Sequence, residues 1–310
     1  MTWYPGHRHY YKTDDRCNIN YNSSKNNTIY EVKMKKSLRN GLEFAEVNGH
    51  KLHIFRCGDK SNPTLVFMSG SGTISPMYDF KVLYEKLLSD FRIIVIEKFG
   101  YGYSDLYEGS CEIDTIVSYQ KQALVSMGEK APYILLPHSM SGIEAIRWKQ
   151  LYPDDIKAII GLDMATPITY SEWGEDEINK RIDLMLKLKR LKETGLLFWY
   201  PINKRGLSKD EIKQHQLLKK RNLMNNCYIN EAKAVLNNAR ITADSGKAEC
   251  PTLLFVSNGK QTSPNWIANE QKYAESVGAE TVLLNCGHYI HYYESDKISS
   301  KIREFIKKID

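Results

Sequence analysis

The sequence lacks several features that would decide its class at once. No apolar run approaches the ~18 residues that a membrane-spanning helix needs, and the start, MTWYPGHRHYYKTDDRCN, lacks the apolar core of a secretory signal. Six cysteines are scattered without C-x-x-C spacing, which argues against a zinc site and against a dense disulfide framework. We therefore expect a protein of the reduced cytoplasm, without a membrane span, a metal or a cofactor.

Strong charge of either sign is also missing. The formal net charge is +6 over 310 residues, and lysine and arginine are spread along the chain. The runs KLKRLK and KKR lie within helical patterns, and we interpret them as solvated helix faces rather than as a patch for an anionic partner. A small-molecule substrate is expected, a nucleic-acid partner is not, and the oligomeric state stays open.

Short apolar runs bounded by turns recur along most of the chain. They read TLVFMSG, FRIIVIE, YILLPH, AIIGLDM, TLLFVS and TVLLN. Such near-continuous apolar strands are typical of a parallel sheet that is covered on both faces. Helical stretches such as SPMYDFKVLYEKLLSD, DTIVSYQKQALVSMG and DKISSKIREFIKK alternate with them or follow them. The alternation predicts an α/β fold with a doubly wound, mostly parallel sheet.

The alternation stops once, in a charged helical block over residues 167–245. We divide the chain into an N-terminal extension (1–40), a core in two parts (41–166 and 246–310) and this helical insertion over the sheet. The insertion contains the aromatic run LLFWYP. Its Phe198 and Trp199 are candidates for lining an acyl pocket, and simple packing between insertion and core is the alternative.

A serine stands where an apolar run gives way to a helical one, in LLPHSMSGIEAI. A nucleophile elbow needs small residues two positions before and two after the nucleophile, because the turn is tight and its backbone strained. Ser141 satisfies this requirement, whereas Pro137 replaces the usual glycine. A serine that merely caps a helix is the alternative. The position between a strand and a helix favours Ser139 as a nucleophile.

A glycine-rich loop, FMSGSGTISP, directly follows the run TLVF. An esterase needs backbone N–H groups aimed at the oxyanion, one from the residue after the nucleophile and one from such a loop. Met140 and Ser71 would be these donors. A flexible loop without function is one alternative. A phosphate cradle is another, but neither G-x-x-x-x-G-K-[ST] nor G-x-G-x-x-G is satisfied.

A histidine follows the last predicted strand and precedes the last helix, in NCGHYIHYYESDKI. A general base must reach the serine hydroxyl from a loop at the carboxyl edge of the sheet. His288 meets this condition, and His291 is its structural competitor. Cys286 could suggest a thiol nucleophile, but we interpret it as a small buried apolar residue.

Together, these features resemble the α/β-hydrolase superfamily over residues 41–310. EKFGYGYSD resembles the D-x-R-G-x-G-x-S-D stretch after the fourth strand, and PHSMSG resembles the G-H-S-M-G-G elbow. CGHYIHYYESDKI is similar to the terminal histidine segment, and the helical insertion to the cap domain. Ser69-Gly70 stands where many members have His-Gly. The order and spacing of these degenerate motifs make the resemblance specific.

One departure concerns the acid of the catalytic triad. In the superfamily it usually follows the seventh strand, in a stretch resembling G-x-x-D. The corresponding TLLFVSNGKQTSP has Lys260 at the expected place and no carboxylate nearby. Some members carry the acid after strand six, and a charged residue that closes an apolar strand needs a reason. Asp163 is therefore our candidate, with a capping role as the alternative, since the remaining carboxylates look structural or solvent-facing: Asp105, Glu294 and Asp296.

The resemblance implies a serine hydrolase of the carboxylesterase type. Ser139 would attack an ester-like carbonyl of a small or medium apolar substrate, His288 would transfer the proton, and Asp163 would orient His288. Dehalogenases and epoxide hydrolases of this fold need an Asp as nucleophile and are disfavoured. Aminopeptidases and carbon–carbon bond hydrolases use the same triad and stay open. A ligand-binding protein without turnover is the rival class, motivated by the missing acid after strand seven.

Overall fold

The computed structural model describes residues 41–197 and 199–310. The predicted N-terminal extension, residues 1–40, and the candidate pocket residue Phe198 lie outside the described residues. Within the described residues, no helix combines the length and the apolar character that crossing a membrane would require.

The described chain forms an eight-stranded, mostly parallel sheet. Its strand order is β1-β2-β4-β3-β5-β6-β7-β8. The strands are β1 (Phe44–Val47), β2 (His50–Cys57), β3 (Thr64–Met68), β4 (Arg92–Glu97), β5 (Tyr133–Ser139), β6 (Ile156–Met164), β7 (Thr252–Val256) and β8 (Glu280–Leu283). Among the described strands, only β1–β2 and β2–β4 are antiparallel pairs. The six apolar runs of the sequence are β3 to β8, as predicted.

Helices cover both faces of the sheet, which explains why its strands are apolar throughout. They are α1 (Pro76–Asp79), α2 (Lys81–Tyr84), α3 (Ile113–Ser126), α4 (Ser141–Leu151), α5 (Pro167–Ser171), α6 (Glu175–Glu193), α7 (Lys209–Asn222), α8 (Asn226–Asp244), α9 (Trp266–Val277), α10 (Ile290–Tyr293) and α11 (Ser295–Ile309). Alternate residues of β3 point to different cores: Val66 packs with side chains of α3 and α4, and Phe67 with side chains of α2 and α11. The predicted doubly wound α/β fold is confirmed.

The stretch SPMYDFKVLYEKLLSD differs from the sequence expectation of a helical stretch. It forms two one-turn helices, α1 and α2, that meet at Phe80, whose ψ is −3°. The amide of Leu83 bonds to the Phe80 carbonyl, three residues back, and the amide of Lys86 bonds to that of Leu83. This tighter hydrogen-bond pattern does not propagate as a long α-helix.

The block between β6 and β7 is helical within its described residues. It consists of α5, α6, α7 and α8. Two of these helices begin with side-chain caps: Ser208 and Glu211 form a reciprocal capping box at α7, and the Asn225 side chain accepts from the amides of Cys227 and Tyr228 at α8. These local signals fix where the helices start.

Candidate active site

Ser139 ends β5 and has a backbone φ of +55°. A non-glycine residue in this region is strained, and such strain is typical of a nucleophile elbow. Two glycines allow neighbouring chain segments to approach the turn. A Cβ on Gly142 would lie 2.2 Å from the Ala165 carbonyl oxygen, and one on Gly70 would lie 2.5 Å from the Ser139 Cβ. The elbow therefore contacts the glycine-rich loop directly.

Ser141, in place of the glycine of the superfamily pattern, ties the elbow to β3. Its hydroxyl is fully buried, lies 2.8 Å from the Met68 carbonyl oxygen, and accepts from the His138 amide at 3.0 Å. Pro137, the other departure from the pattern, pairs with Met68 in the sheet register. Pro137 and Ser141, the two departures from the pattern, thus both contact or pair with Met68 of β3, and the turn keeps its strained geometry.

The glycine-rich loop after β3 is held by side chains on two sides. The Gly72 amide donates to Tyr101 Oη at 3.2 Å, and Tyr228 of α8 donates to the Thr73 carbonyl at 2.9 Å. Asn222 of α7 donates to the Ile74 carbonyl at 3.0 Å. Ser71, the candidate oxyanion donor, follows Gly70 in this loop, and Met140, the other candidate, follows Ser139 at the start of α4. Helices of the insertion therefore help to set the position of this loop.

His288 and Asp163 form a short hydrogen bond at the carboxyl edge of the sheet. His288 Nδ1 lies 2.6 Å from Asp163 Oδ2. The other carboxylate oxygen, Oδ1, accepts from the Ser257 amide at 2.7 Å and from Trp266 Nε1 at 2.8 Å. Asp163 is fully buried, and these donors compensate the loss of water around its charge. They also fix the carboxylate in the orientation that meets the imidazole.

The backbone of His288 is held from both sides. Its amide donates to Gln261 Oε1 at 3.0 Å, and its carbonyl accepts from His138 Nε2 at 3.2 Å. With Nδ1 bound to Asp163, Nε2 remains for exchanging a proton. The Ser139 hydroxyl makes no hydrogen bond to any residue of the described parts of the chain. Bonds between nucleophile and base are often long in free enzymes and tighten when substrate binds.

The loop after β7 differs from the corresponding loop of the superfamily pattern, which carries the acid of the triad. Lys260 is exposed, and the side chain of the next residue, Gln261, turns toward the histidine segment. A Cβ on Gly287 would lie 2.5 Å from Gln261 Oε1, so the glycine makes room for this contact. The loop thus positions the His288 backbone, while the carboxylate comes from the end of β6.

Gln261, Trp266 and Ser257 were not identified from the sequence. Their contacts depend on how three separate loops meet at the sheet edge, and no local sequence pattern predicts which loops come together. A buried Asp at a strand end does signal that donors must exist, but it does not name them.

His138, the residue before Ser139, is buried and lies between two histidines. Its ring centroid is 4.6 Å from that of His288 and 5.2 Å from that of His291. Burial, together with the charges of these two neighbours, holds the pKa of His138 well below its usual 6.5. Because Nε2 faces a carbonyl oxygen, we assign the proton of the neutral ring to that nitrogen.

His291 makes a second carboxylate contact. Its Nε2 lies 3.3 Å from Asp79 Oδ2, and Tyr292 donates to the other oxygen of Asp79. His291 is fully buried, and its Nδ1 has no hydrogen-bond partner within the described residues. This imidazole is closed to a substrate.

A buried ionic cluster connects α8 with the glycine-rich loop. Lys98 Nζ lies 2.6 Å from Glu144 Oε1 and 2.5 Å from Glu231 Oε1, and Tyr101 donates to Glu231. Burial lowers the pKa of Lys98, but the two glutamates outweigh it and hold that pKa above its usual value. Since the Tyr101 hydroxyl also accepts from the Gly72 amide, the Tyr101 side chain links Glu231 to the glycine-rich loop.

The remaining residues singled out in the sequence differ in their exposure and in their partners. Trp199 is 64% exposed, more than a pocket-lining side chain would be. Burial raises the pKa of Cys286 to about 11, so its thiol stays protonated at neutral pH. Asp105 accepts from the Lys51 amide at 2.7 Å, and Asp296 forms a surface ion pair with Lys86. Within the described residues, no group of three or more potential metal ligands occurs.

Comparisons with known proteins agree on the fold. No protein-family model matches the chain. The uncharacterized protein YbdG of Bacillus subtilis is 32% identical over 277 residues, which cover 85% of each chain. A mutant epoxide hydrolase from Vigna radiata is similar in structure, with a TM-score of 0.69, 19% identity, and coverage of 86% of this chain and 98% of that one. A carboxylesterase structure from Nitrososphaera gargenis gives a TM-score of 0.64 at 14% identity, with coverage of 86% and 98%. The strand order and these similarities lead to one conclusion: the chain is a relative of YbdG and has the α/β-hydrolase fold.

Proposed function

We propose that this protein is a serine hydrolase that cleaves an ester-like bond of a small or medium apolar substrate through an acyl-enzyme. The observation that supports it most is the 2.6 Å contact between His288 Nδ1 and Asp163 Oδ2, at the sheet edge where the strained Ser139 ends β5. A base oriented by a carboxylate, beside a serine on a strained turn, is the arrangement that activates a hydroxyl for attack.

In the proposed mechanism, the Ser139 Oγ attacks the substrate carbonyl while His288 Nε2 takes its proton. The tetrahedral oxyanion accepts hydrogen bonds from the amides of Ser71 and Met140; one such donor is worth about 10²–10³ in turnover. His288 then gives the proton to the leaving alcohol. Water, deprotonated by His288, attacks the acyl-enzyme in turn, and Ser139 recovers its proton as the acid departs.

Asp163 supports both halves of this cycle. Its bond to Nδ1 selects the tautomer that leaves Nε2 free to accept a proton, and its charge stabilises the imidazolium that forms. Ser257 and Trp266 occupy the other carboxylate oxygen. The carboxylate therefore does not rotate away from His288 when the imidazole becomes charged.

Among reactions on this fold, the side chain at the elbow favours ester hydrolysis. Dehalogenases and epoxide hydrolases need an Asp as nucleophile, and this chain has Ser139. The similar Nitrososphaera gargenis structure is described as a carboxylesterase. Aminopeptidase and carbon–carbon bond hydrolase chemistry would use the same three residues. The rival of a binding protein without turnover was motivated by the absent acid after β7, and the contact from Asp163 supports the enzyme instead.

We further propose that residues 167–245 act as a cap that limits the substrates reaching Ser139. The hydrogen bonds from Tyr228 and Asn222 to the glycine-rich loop support this role, because they join the insertion to the loop that carries Ser71. A cap so placed would select substrates at the mouth of the site.

The test compares wild-type protein with Ser139→Ala on p-nitrophenyl esters of increasing chain length. Removing a triad nucleophile costs ~10⁶ in turnover in a well-studied case, and we expect a loss of this order with an unchanged circular dichroism spectrum. A fluorophosphonate probe should label the wild type and not the variant. Ser126→Ala, on the exposed side of α3, is the matched control and should behave as wild type. Wild-type turnover in Ser139→Ala, or labelling of another residue, would contradict the proposal.

A further inference from the structure

The glycine-rich loop after β3 is held by side chains rather than by its own backbone. Among the described residues, none of the backbone–backbone hydrogen bonds outside helices and strands involves residues 70–73. The amide of Gly72 donates to the Tyr101 hydroxyl at 3.2 Å, and the carbonyl of Thr73 accepts from the Tyr228 hydroxyl at 2.9 Å. The conformation of this loop therefore depends on two tyrosine hydroxyls.

Helix α8 of the insertion contacts both of these tyrosine positions. Tyr101 is fully buried, and its hydroxyl donates to Glu231 of α8. An amide can only donate, so the Tyr101 oxygen accepts from Gly72 while its proton points to Glu231. Burial, together with the charge of Glu231, raises the pKa of Tyr101 well above its usual 10, and the hydroxyl keeps this proton. Tyr228 lies one turn before Glu231 on α8, so this helix supplies one tyrosine and orients the other.

Glu231 also connects the loop to the helix that follows the proposed nucleophile. Its other carboxylate oxygen lies 2.5 Å from Lys98 Nζ, which in turn lies 2.6 Å from Glu144 Oε1. Glu144 belongs to α4, which starts directly after Met140. The two proposed oxyanion donors are the amides of Met140 and, in the glycine-rich loop, Ser71. One buried network of side chains therefore contacts both of the elements that carry these donors.

We propose that Tyr101 and Glu231 are positioning residues that hold the two oxyanion donors in place, a role that rests on the proposed serine hydrolase function. Both residues act through the loop that carries Ser71. A misplacement of about 1 Å can cost 10²-fold in rate, and loss of one oxyanion donor costs about 10²–10³. Removing this support should therefore raise the barrier to the tetrahedral intermediate and leave binding of the ester itself nearly unchanged.

The test is Tyr101→Phe, which removes the hydroxyl and keeps the buried ring. On p-nitrophenyl esters, kcat should fall by about 10–100-fold, because a displaced donor loses part of its effect, while KM stays within about threefold of wild type. Binding of a trifluoromethyl ketone, which forms a tetrahedral adduct with Ser139, should weaken by the same factor as kcat/KM. Hydrogen exchange of the amides in residues 69–74 should become at least about tenfold faster.

Two further variants approach the same loop from α8. Tyr228→Phe leaves the Thr73 carbonyl without its donor and should also lower kcat with little change in KM. Glu231→Gln leaves one acceptor oxygen for two donors, Lys98 and Tyr101, and should lower kcat by about tenfold. Since Tyr101 and Glu231 act through one contact, the double variant should be at most about threefold worse than the more damaging single variant.

Tyr133→Phe is the matched control. Tyr133 is buried at the start of β5, the opposite end of that strand from Ser139, and its hydroxyl donates to the Glu129 carbonyl at 3.1 Å. This variant also loses a buried hydrogen bond, so its urea unfolding midpoint should fall as that of Tyr101→Phe does. Its kcat, its affinity for the trifluoromethyl ketone and its loop exchange should be those of wild type.

The outcomes separate this inference from the proposed function. Wild-type kcat or unchanged loop exchange in Tyr101→Phe, or an equal loss of kcat in Tyr133→Phe, would overturn the inference and leave hydrolysis by Ser139 intact. A wild-type protein that neither hydrolyses esters nor reacts with a fluorophosphonate would overturn both.

Discussion

Two aspartate–histidine pairs lie near His138, and our proposal assigns proton transfer to only one of them. In the first, His288 Nδ1 is 2.6 Å from Asp163, and the histidine side chain is 16% exposed. In the second, His291 Nε2 is 3.3 Å from Asp79, and the histidine side chain is 0% exposed. The histidines are three residues apart in the same segment, so local sequence hardly distinguishes them.

The surroundings of each pair account for the difference. The Asp163 carboxylate accepts hydrogen bonds from a backbone N–H and an indole N–H group, which hold it aimed at His288. The two oxygens of the Asp79 carboxylate have different partners: one faces His291, and the other accepts from the Tyr292 hydroxyl. The His291 ring lies among aromatic rings, including Phe80 at 5.0 Å and Tyr292 at 4.5 Å between centroids. A carboxylate–imidazole pair can take part in catalysis only when the other ring nitrogen reaches a substrate.

The largest difference between the pairs should appear on replacing each aspartate by asparagine. Asp163→Asn should lower turnover by about 10⁴, because it favours the wrong imidazole tautomer, and should be nearly as damaging as His288→Ala. Asp79→Asn should leave turnover within about tenfold of wild type but lower the free energy of unfolding by about 1–3 kcal/mol, since it weakens a buried hydrogen-bond network. Ester hydrolysis and urea unfolding measure the two effects.

Asp296→Asn serves as the surface control, because Asp296 is exposed and should change neither quantity much. If Asp79→Asn instead abolished turnover while Asp163→Asn preserved it, the roles of the two pairs would have to be exchanged.

A second, smaller effect concerns His138, which lies between the pairs. Its pKa is well below 6.5 in the folded protein, so below pH 6.5 the unfolded chain binds a proton that the folded chain does not. Stability is therefore complete above about pH 6.5 and is lost as the pH falls toward the folded-state pKa, at about 1 kcal/mol per pH unit. His138→Gln should reduce this slope.

Urea unfolding of both proteins between pH 7 and pH 5 measures the change, and the difference between the two curves isolates His138 from the other histidines. Parallel curves would mean that burial does not keep His138 neutral. His138 would then donate to the His288 carbonyl as a charged imidazolium rather than as a neutral ring.

The sequence predicted the local elements of the fold that surround the candidate site. The apolar runs are β3 to β8, as expected. The hypothesis that Asp163 is the triad acid came from a charge that closes an apolar strand, and its distance to His288 agrees with that hypothesis.

The parts that escaped prediction depend on distant loops. Gln261 approaches His288 only because the loop after β7 and the histidine segment meet, and Trp266 approaches Asp163 only because α9 packs against β7, the neighbour of β6. The division of one expected helical stretch at Phe80, where hydrogen bonds run three residues back, was not predicted either. Periodicity reports which face of a segment is buried, but it does not report which distant side chain comes to lie against that face.

The smallest expected effect on turnover concerns Glu270, a buried side chain of α9 near the first pair. Burial, reinforced by the negative charge of Asp163, raises the pKa of Glu270 well above its usual 4.5. The raised pKa favours the neutral form of this carboxyl group, and its Oε1 accepts from Thr169 Oγ1 at 3.4 Å. A neutral Glu270 leaves Asp163 as the charged partner of His288, so Glu270→Gln should keep turnover within a few-fold of wild type.

Because the folded-state pKa of Glu270 is raised, its contribution to stability is complete below about pH 4.5 and is lost as the pH rises toward that folded-state value, at up to about 1 kcal/mol per pH unit. Glutamine has no proton to lose, so Glu270→Gln should be more stable than wild type at pH 8 and similar to it at pH 4.5, as measured by urea unfolding. Glu275→Gln, exposed on the same helix, should shift neither curve. A variant less stable than wild type at pH 8, or one with a hundredfold loss of turnover, would show that a charged Glu270 takes part in the site.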